Sequence, residues 1–133
     1  MKTSPVKNNS KFSTTDKKQL GDRGENIAAD YLKSIGYEIL ERNYRASYAE
    51  VDIIAKDQSS IVFVEVKTRT YDYYGSPEEF VTRQKQKNMT FAAAIFCEDI
   101  DHEGEIRFDI MAIILQGNTR NVKHIKDAFF PGL

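Results

Sequence analysis

Apolar and polar positions alternate with two different periods along this chain. From Asp16 to about Ser34, Leu20, Ile27, Ala28, Tyr31, Leu32 and Ile35 recur at spacings of three, four and seven. That is the period of a helix with one buried stripe. Thr15 or Asp16 is placed to cap its start, and Gly36 to end it at C′. Gly21 and Gly24 are poor helix formers, so they predict close packing against another element or an approach to a phosphate. Tyr37 to Arg42 reads as a first strand. Two more apolar runs follow, Glu50 to Ala55 and Ile61 to Lys67, separated by the polar turn Asp57-Ser60. After a loop holding Tyr71, Tyr73 and Tyr74, Ser76-Pro77-Glu78-Glu79 carries a capping-box pattern, and Thr82 is a second cap for the same helix. This helix runs to about Cys97, with Met89, Ala92, Ala93 and Phe96 on its buried side. Glu105 to Leu115 is a strand, Gln116-Gly117-Asn118 a turn, and Asn121 to Ile125 a short final strand. The order of elements is that of a compact α/β domain.

Charge inside the two central strands changes the picture. Glu50, Asp52, Glu65 and Lys67 interrupt segments that are otherwise strongly apolar. Desolvating an ion is costly, so charges enter such strands when they are paired or hold a metal. Side chains alternate between the faces of a strand. If Asp57 to Ser60 form the turn, Lys56 pairs with Ile61, Ile54 with Phe63, Asp52 with Glu65 and Glu50 with Lys67. All the charges then share one face, whereas a slip of one residue would separate them. Carboxylates directly opposite one another have Cβ atoms about 4.5–5.5 Å apart and repel unless a cation lies between them. The donors are all oxygens, which suits Mg²⁺ (or Mn²⁺) better than zinc. Lys67 is placed to orient a water or to neutralise charge on a phosphodiester. The arrangement suggests a metal-dependent phosphodiesterase site. The plainer alternative, a salt-bridge ladder on a solvated face, fits poorly with Ile54 and Phe63 on the same side.

Composition bounds the rest. The chain has 133 residues, 41% hydrophobic and 29% charged, which matches one globular domain. Residues 1–15 read as a disordered polar tail and residues 16–133 as the domain. The single cysteine, Cys97, excludes an intrachain disulfide and fits a reducing, cytoplasmic setting. No apolar run is long enough to span a bilayer, and the N-terminus lacks the apolar core of a signal peptide. A net charge of −1 means that any nucleic-acid affinity must come from local patches. The candidates are Arg45, Arg69, Arg83, Lys85 and Lys87, with Gln86 adding a hydrogen bond and the three loop tyrosines stacking on unpaired bases. Glu25 taken alone reads as an exposed helix residue.

Several short stretches, in this order and spacing, resemble one family. They are Gly21-x-x-Gly24-Glu25, Asn43-x-Arg45, Glu50-Val51-Asp52-Ile53-Ile54, Phe63-Val64-Glu65-Val66-Lys67-x-Arg69, Val81-Thr82-x-x-Lys85-Gln86, Arg107-Phe108-Asp109 and Ile125-Lys126-Asp127-Ala128-Phe129. Together they resemble the YraN-like family of predicted endonucleases, in the PD-(D/E)xK or restriction-endonuclease-like superfamily, distantly similar to Holliday-junction resolvases. The resemblance covers roughly residues 17–130. It implies a three-layer core, a mixed sheet of about five strands flanked by helices in αβββαβ order. It implies that Asp52 and Glu65 bind metal, that Lys67 is catalytic, and that Glu25 completes the acidic cluster; from the strand register, Glu25 or Glu50 is expected to add an outer-shell contact to the metal. Lys85 and Gln86 match substrate-contacting positions. Ala49 departs from the glycine usual before Glu50, and Val51 from the superfamily's proline.

Two functions from different classes follow. One is a metal-dependent DNA endonuclease, structure-specific in repair or recombination, soluble and with a homodimer as its candidate assembly. The other is a non-catalytic nucleic-acid-binding module that retains the nuclease fold. Intact Asp52, Glu65 and Lys67 favour the first.

Overall fold

The computed structural model describes residues 14–70 and 81–129. The tyrosine-rich loop, the Ser76-Pro77-Glu78-Glu79 cap and most of the N-terminal tail lie outside the described residues. Helix α1 spans Thr14–Ser34, then β1 (Glu38–Ala46), β2 (Ala49–Asp57) and β3 (Ser60–Thr70), helix α2 (Arg83–Asp99), and β4 (Ile106–Gln116) and β5 (Thr119–Ile125). The five strands form one sheet in the order β1-β2-β3-β4-β5. Only β3 and β4 run parallel, because α2 carries the chain across between them. The expected three-layer α/β core is present, with the short final strand at the sheet edge.

Each helix buries its stripe on one face of the sheet. Ile27, Ala28, Ala29 and Leu32 of α1 pack with Ile53, Ala55, Val62, Val64, Met111 and Ile113. Met89, Ala92, Ala93 and Phe96 of α2 pack with Ile54, Ile61, Phe63 and Phe108 on the other face. The sheet centre is therefore covered on both sides, which is why β3 and β4 read as near-continuous apolar runs.

Helix ends follow local chemistry. α1 begins at Thr14, two residues inside the expected tail. Asp16 therefore sits in the first turn, where its charge complements the macrodipole, rather than at the cap. Its far end is a Schellman motif. Gly36 (φ 97°) donates to Lys33 O, and Tyr37 N donates to Leu32 O at 2.9 Å. At α2 the cap is Thr82, whose hydroxyl accepts from Lys85 N at 3.1 Å.

The β2–β3 hairpin keeps the expected register from Lys56–Ile61 to Ile53–Val64, with Asp57 also pairing Ser60 around a two-residue turn. The predicted continuation, Asp52 opposite Glu65 and Glu50 opposite Lys67, does not form as backbone pairs. Val51 packs with the α2-side core, whereas Ile53 and Ala55 pack with the α1-side core. The face alternation expected for Val51, Ile53 and Ala55 thus breaks at Asp52, whose side chain takes the place of a ladder bond. At the β1–β2 turn the left-handed position is Ser47 (φ 57°). Ala49 lies in the strand and is buried, so the family's glycine is not required by the backbone there.

Candidate active site

Beyond Ile53 and Val64 the two central strands separate, and a cleft of about 550 Å³ opens between them and the first turns of α1. Its walls include Lys17, Gly21 and Glu25 from α1, Asp52 from β2, and Glu65, Lys67 and Arg69 from β3. The same break in pairing that interrupts the ladder therefore creates the recess.

Asp52 is half-buried, and its Oδ2 accepts from Val66 N at 2.8 Å. Burial, and then the neighbouring Glu65 carboxylate, push its pKa up to about 7. The Val66 N–H and the Lys85 charge oppose that rise, and Glu25 adds to it. Glu65 is 3% exposed. Lys67 Nζ lies 3.3 Å from its Oε2 and Lys85 Nζ 3.4 Å from its Oε1. Neither Lys85 nor any other described group gives Oε1 a hydrogen bond, so a buried carboxylate oxygen is left without a donor, with the Lys85 charge near it.

Glu25 is tied back by β1. Arg42 Nη2 lies 3.5 Å from its Oε1. The Asn43 amide, oriented nitrogen-first, donates to Oε2 and Oε1 at 3.2 and 3.3 Å. Burial raises the Glu25 pKa despite these partners. Gly24 beside it explains the motif's second glycine: a Cβ there would collide with Thr68 of β3, whereas Gly21 faces open space at the cleft. Of the two roles expected for these glycines, close packing belongs to Gly24, and Gly21 leaves the cleft mouth open.

The remaining sequence-derived positions divide. Glu50 pairs with Arg45 at 3.6 Å and does not line the cleft. Arg69 lines it, with Nη1 donating to Thr68 O at 2.8 Å. Arg83 and Lys87 are exposed on α2. Gln86 turns its amide to Val81 O at 3.3 Å. Sequence reasoning missed Lys17, Thr68 and Thr70 as lining, and Arg42 as the partner of Glu25. The adjacent Asn43-x-Arg45 motif was the only signal for the latter. It also treated Lys85 as a substrate contact without foreseeing its approach to Glu65.

The donors presented to the cleft are carboxylate oxygens with no imidazole or thiol among them. The orphaned Glu65 Oε1 and the strained ionisation of Asp52 are what a hard divalent cation would relieve. Among the described residues no group of three or more His, Cys, Asp or Glu side chains is close enough to hold a metal, so the protein offers two convergent carboxylates, with Glu25 at electrostatic range.

A mixed five-stranded sheet between two helices, with Asp52, Glu65 and Lys67 lining a recess where the central strands part, defines a three-layer α/β protein. The model of Uncharacterised protein family UPF0102 matches residues 24–113. A UPF0102 protein of Clostridium botulinum (strain Loch Maree / Type A3) is 47% identical over 116 residues, covering 84% of this chain and 94% of the relative. UPF0102 proteins of Thermodesulfovibrio yellowstonii and Christiangramia forsetii are each 43% identical over 112 residues, covering 84% of this chain and 96% and 94% of themselves. The chain belongs to the UPF0102 family, the YraN-like endonuclease-like group. No helix among the described residues is long and apolar enough to cross a membrane.

Proposed function

We propose that this protein is a Mg²⁺-dependent DNA endonuclease that hydrolyses phosphodiesters in the Asp52–Glu65 cleft. The observation that carries the reading is the convergence of two carboxylates from separating strands, one with its pKa raised to about 7 and the other nearly buried, with two ammonium groups beside it. A protein gains no stability from such a pair of carboxylates; it is the kind of strain that accumulates at functional sites. Asp52 and Glu65 would hold the cation, which when bound supplies Lewis acidity towards the phosphodiester and a lower pKa for water. Val66 N–H fixes the Asp52 carboxylate in place. Lys67, half-buried beside Glu65, orients the nucleophile and offsets charge that develops on the phosphate. Lys85 brings a second positive charge to Glu65, and Arg69 a third to the cleft lining.

One observation favours the non-catalytic module instead: the absence of a third converging carboxylate among the described residues. A panel of branched and linear DNAs, incubated with Mg²⁺ or Mn²⁺, separates the two. The nuclease reading expects metal-dependent cleavage of at least one substrate, abolished in Asp52→Ala and reduced at least about 100-fold in Lys67→Ala. Binding without cleavage across the panel, cleavage by Asp52→Ala, or a loss well short of about 100-fold in Lys67→Ala contradicts it.

A further inference from the structure

Outside the cleft, one surface feature has no structural necessity. Tyr48, at the tip of the β1–β2 turn, is 68% exposed, and Phe91 on α2 is 40% exposed. Their rings lie parallel and offset, with centroids 5.7 Å apart and planes within 4°. In the α2-side core, Tyr44–Phe96 and Phe63–Phe96 meet edge to face, while Phe63 and Phe108 stack. A scattered exposed aromatic needs no explanation, but a stacked pair held in water is a flat step with one free face.

That step lies at the end of a line of positive charge. Arg83, Lys87 and Phe91 follow one another at intervals of four along α2, and all are exposed. They therefore form one stripe. The first turn of α2 contains no acid, and basic residues there oppose the helix dipole. Lys85, on the adjoining face of the same turn, reaches Glu65. From Lys85 to Phe91 is on the order of 9 Å along the helix axis, two to three nucleotide steps at about 3.4 Å each. A second copy of the chain is a poor occupant, because a two-fold contact here would bring the cations of both copies together.

We infer that the Tyr48–Phe91 step stacks on an unpaired base of the DNA strand whose phosphate enters the Asp52–Glu65 cleft. The substrate then carries single-stranded or splayed nucleotides beside the cleavage point, since bases inside a continuous duplex have no free face to offer. This inference rests on the nuclease reading for the role of the cleft, and on the aromatic step and basic stripe for the base.

The chain has no tryptophan, so Tyr48→Trp installs a single reporter. Titration with a single-stranded oligothymidylate should quench its emission, and a blunt duplex of equal length should quench it little. Tyr48→Ala combined with Phe91→Ala should weaken single-strand binding, measured by anisotropy of a labelled oligonucleotide, by roughly tenfold or more. Tyr48→Phe, which keeps the ring, should bind as wild type. Single-strand binding without quenching, no binding of any DNA, or emission that changes with protein concentration alone overturns the inference. Quenching by single strands with no metal-dependent cleavage of any substrate would sink the nuclease reading and leave the base-stacking step standing. Cleavage without quenching would do the reverse.

Discussion

Asp52 sets the chemistry at the scale of single residues. Its ordinary pKa is 3.8 and its folded value about 7. Between those values the folded protein holds the proton and the unfolded chain has lost it, so folding becomes less favourable as pH rises from about 4 to about 7. At about 1.4 kcal/mol per unit, the cost at pH 8 is at most on the order of a few kcal/mol. Asp52→Asn keeps an oxygen acceptor for Val66 N–H and removes the charge. Its melting temperature should exceed that of wild type at pH 8 and match it near pH 4; a lower value at pH 8 would show that the carboxylate stabilises the fold. The residues involved were legible in the sequence, because charges inside apolar strands stand out. The pKa was not, since it depends on how far β2 and β3 separate and on Lys85 arriving from α2, far along the chain from Asp52.

Among the elements, strand parity predicted the hairpin register correctly as far as Ile53–Val64. It failed at Asp52 because alternation assumes an unbroken ladder, and a side-chain acceptor that captures Val66 N–H ends one. The buried face of α2 followed directly from its period: Met89, Ala92, Ala93 and Phe96 are all buried. The seating of α1 on β3 could not be read, since it depends on one tertiary contact. A Cβ on Gly24 would collide with the Thr68 side chain, while nothing lies within 4 Å of one on Gly21. Gly24→Ala should therefore destabilise the protein by roughly 1–3 kcal/mol and shift α1 away from the cleft. Gly21→Ala should be neutral or stabilising by up to about 1 kcal/mol. Denaturant unfolding of both variants checks this; equal effects would mean that the close approach does not hold α1 in place.

Across the whole molecule, a polar network centred on β4 ties together residues far apart in the chain. Asp109, fully buried, accepts from Arg107 Nε and Nη2 at 2.8 Å each, from His124 Nε2 at 2.7 Å and from Asp127 N at 2.9 Å. Arg107 also donates to Asp57 Oδ2 at 3.1 Å and to the Tyr37 hydroxyl at 2.7 Å. Ala128 N donates to Phe108 O, and Phe129 stacks on Phe108. The sequence motifs Arg107-Phe108-Asp109 and Ile125-Lys126-Asp127-Ala128-Phe129 thus form one clasp, a role that neither could show alone because its partners are far apart in the chain. Burial pushes the Asp109 pKa up, but hydrogen bonds from His124, Arg107 and Asp127 N–H more than offset this and hold it below 3.8. Its stabilisation is then complete above about pH 4 and lost as pH falls through the lower folded value. Asp109→Ala, which strands the buried face of Arg107, should cost about 3–5 kcal/mol and remove this part of the acid sensitivity. A loss below about 1 kcal/mol would mean that the clasp contributes little.

Whether the two carboxylates at the parted strands jointly hold a divalent cation is tested most directly by calorimetric titration of Mn²⁺ into the wild-type protein and into Asp52→Ala at pH 7.5. Wild type should bind one ion with measurable heat, and Asp52→Ala should bind at least about tenfold more weakly while remaining folded. Identical isotherms for the two proteins would contradict the site.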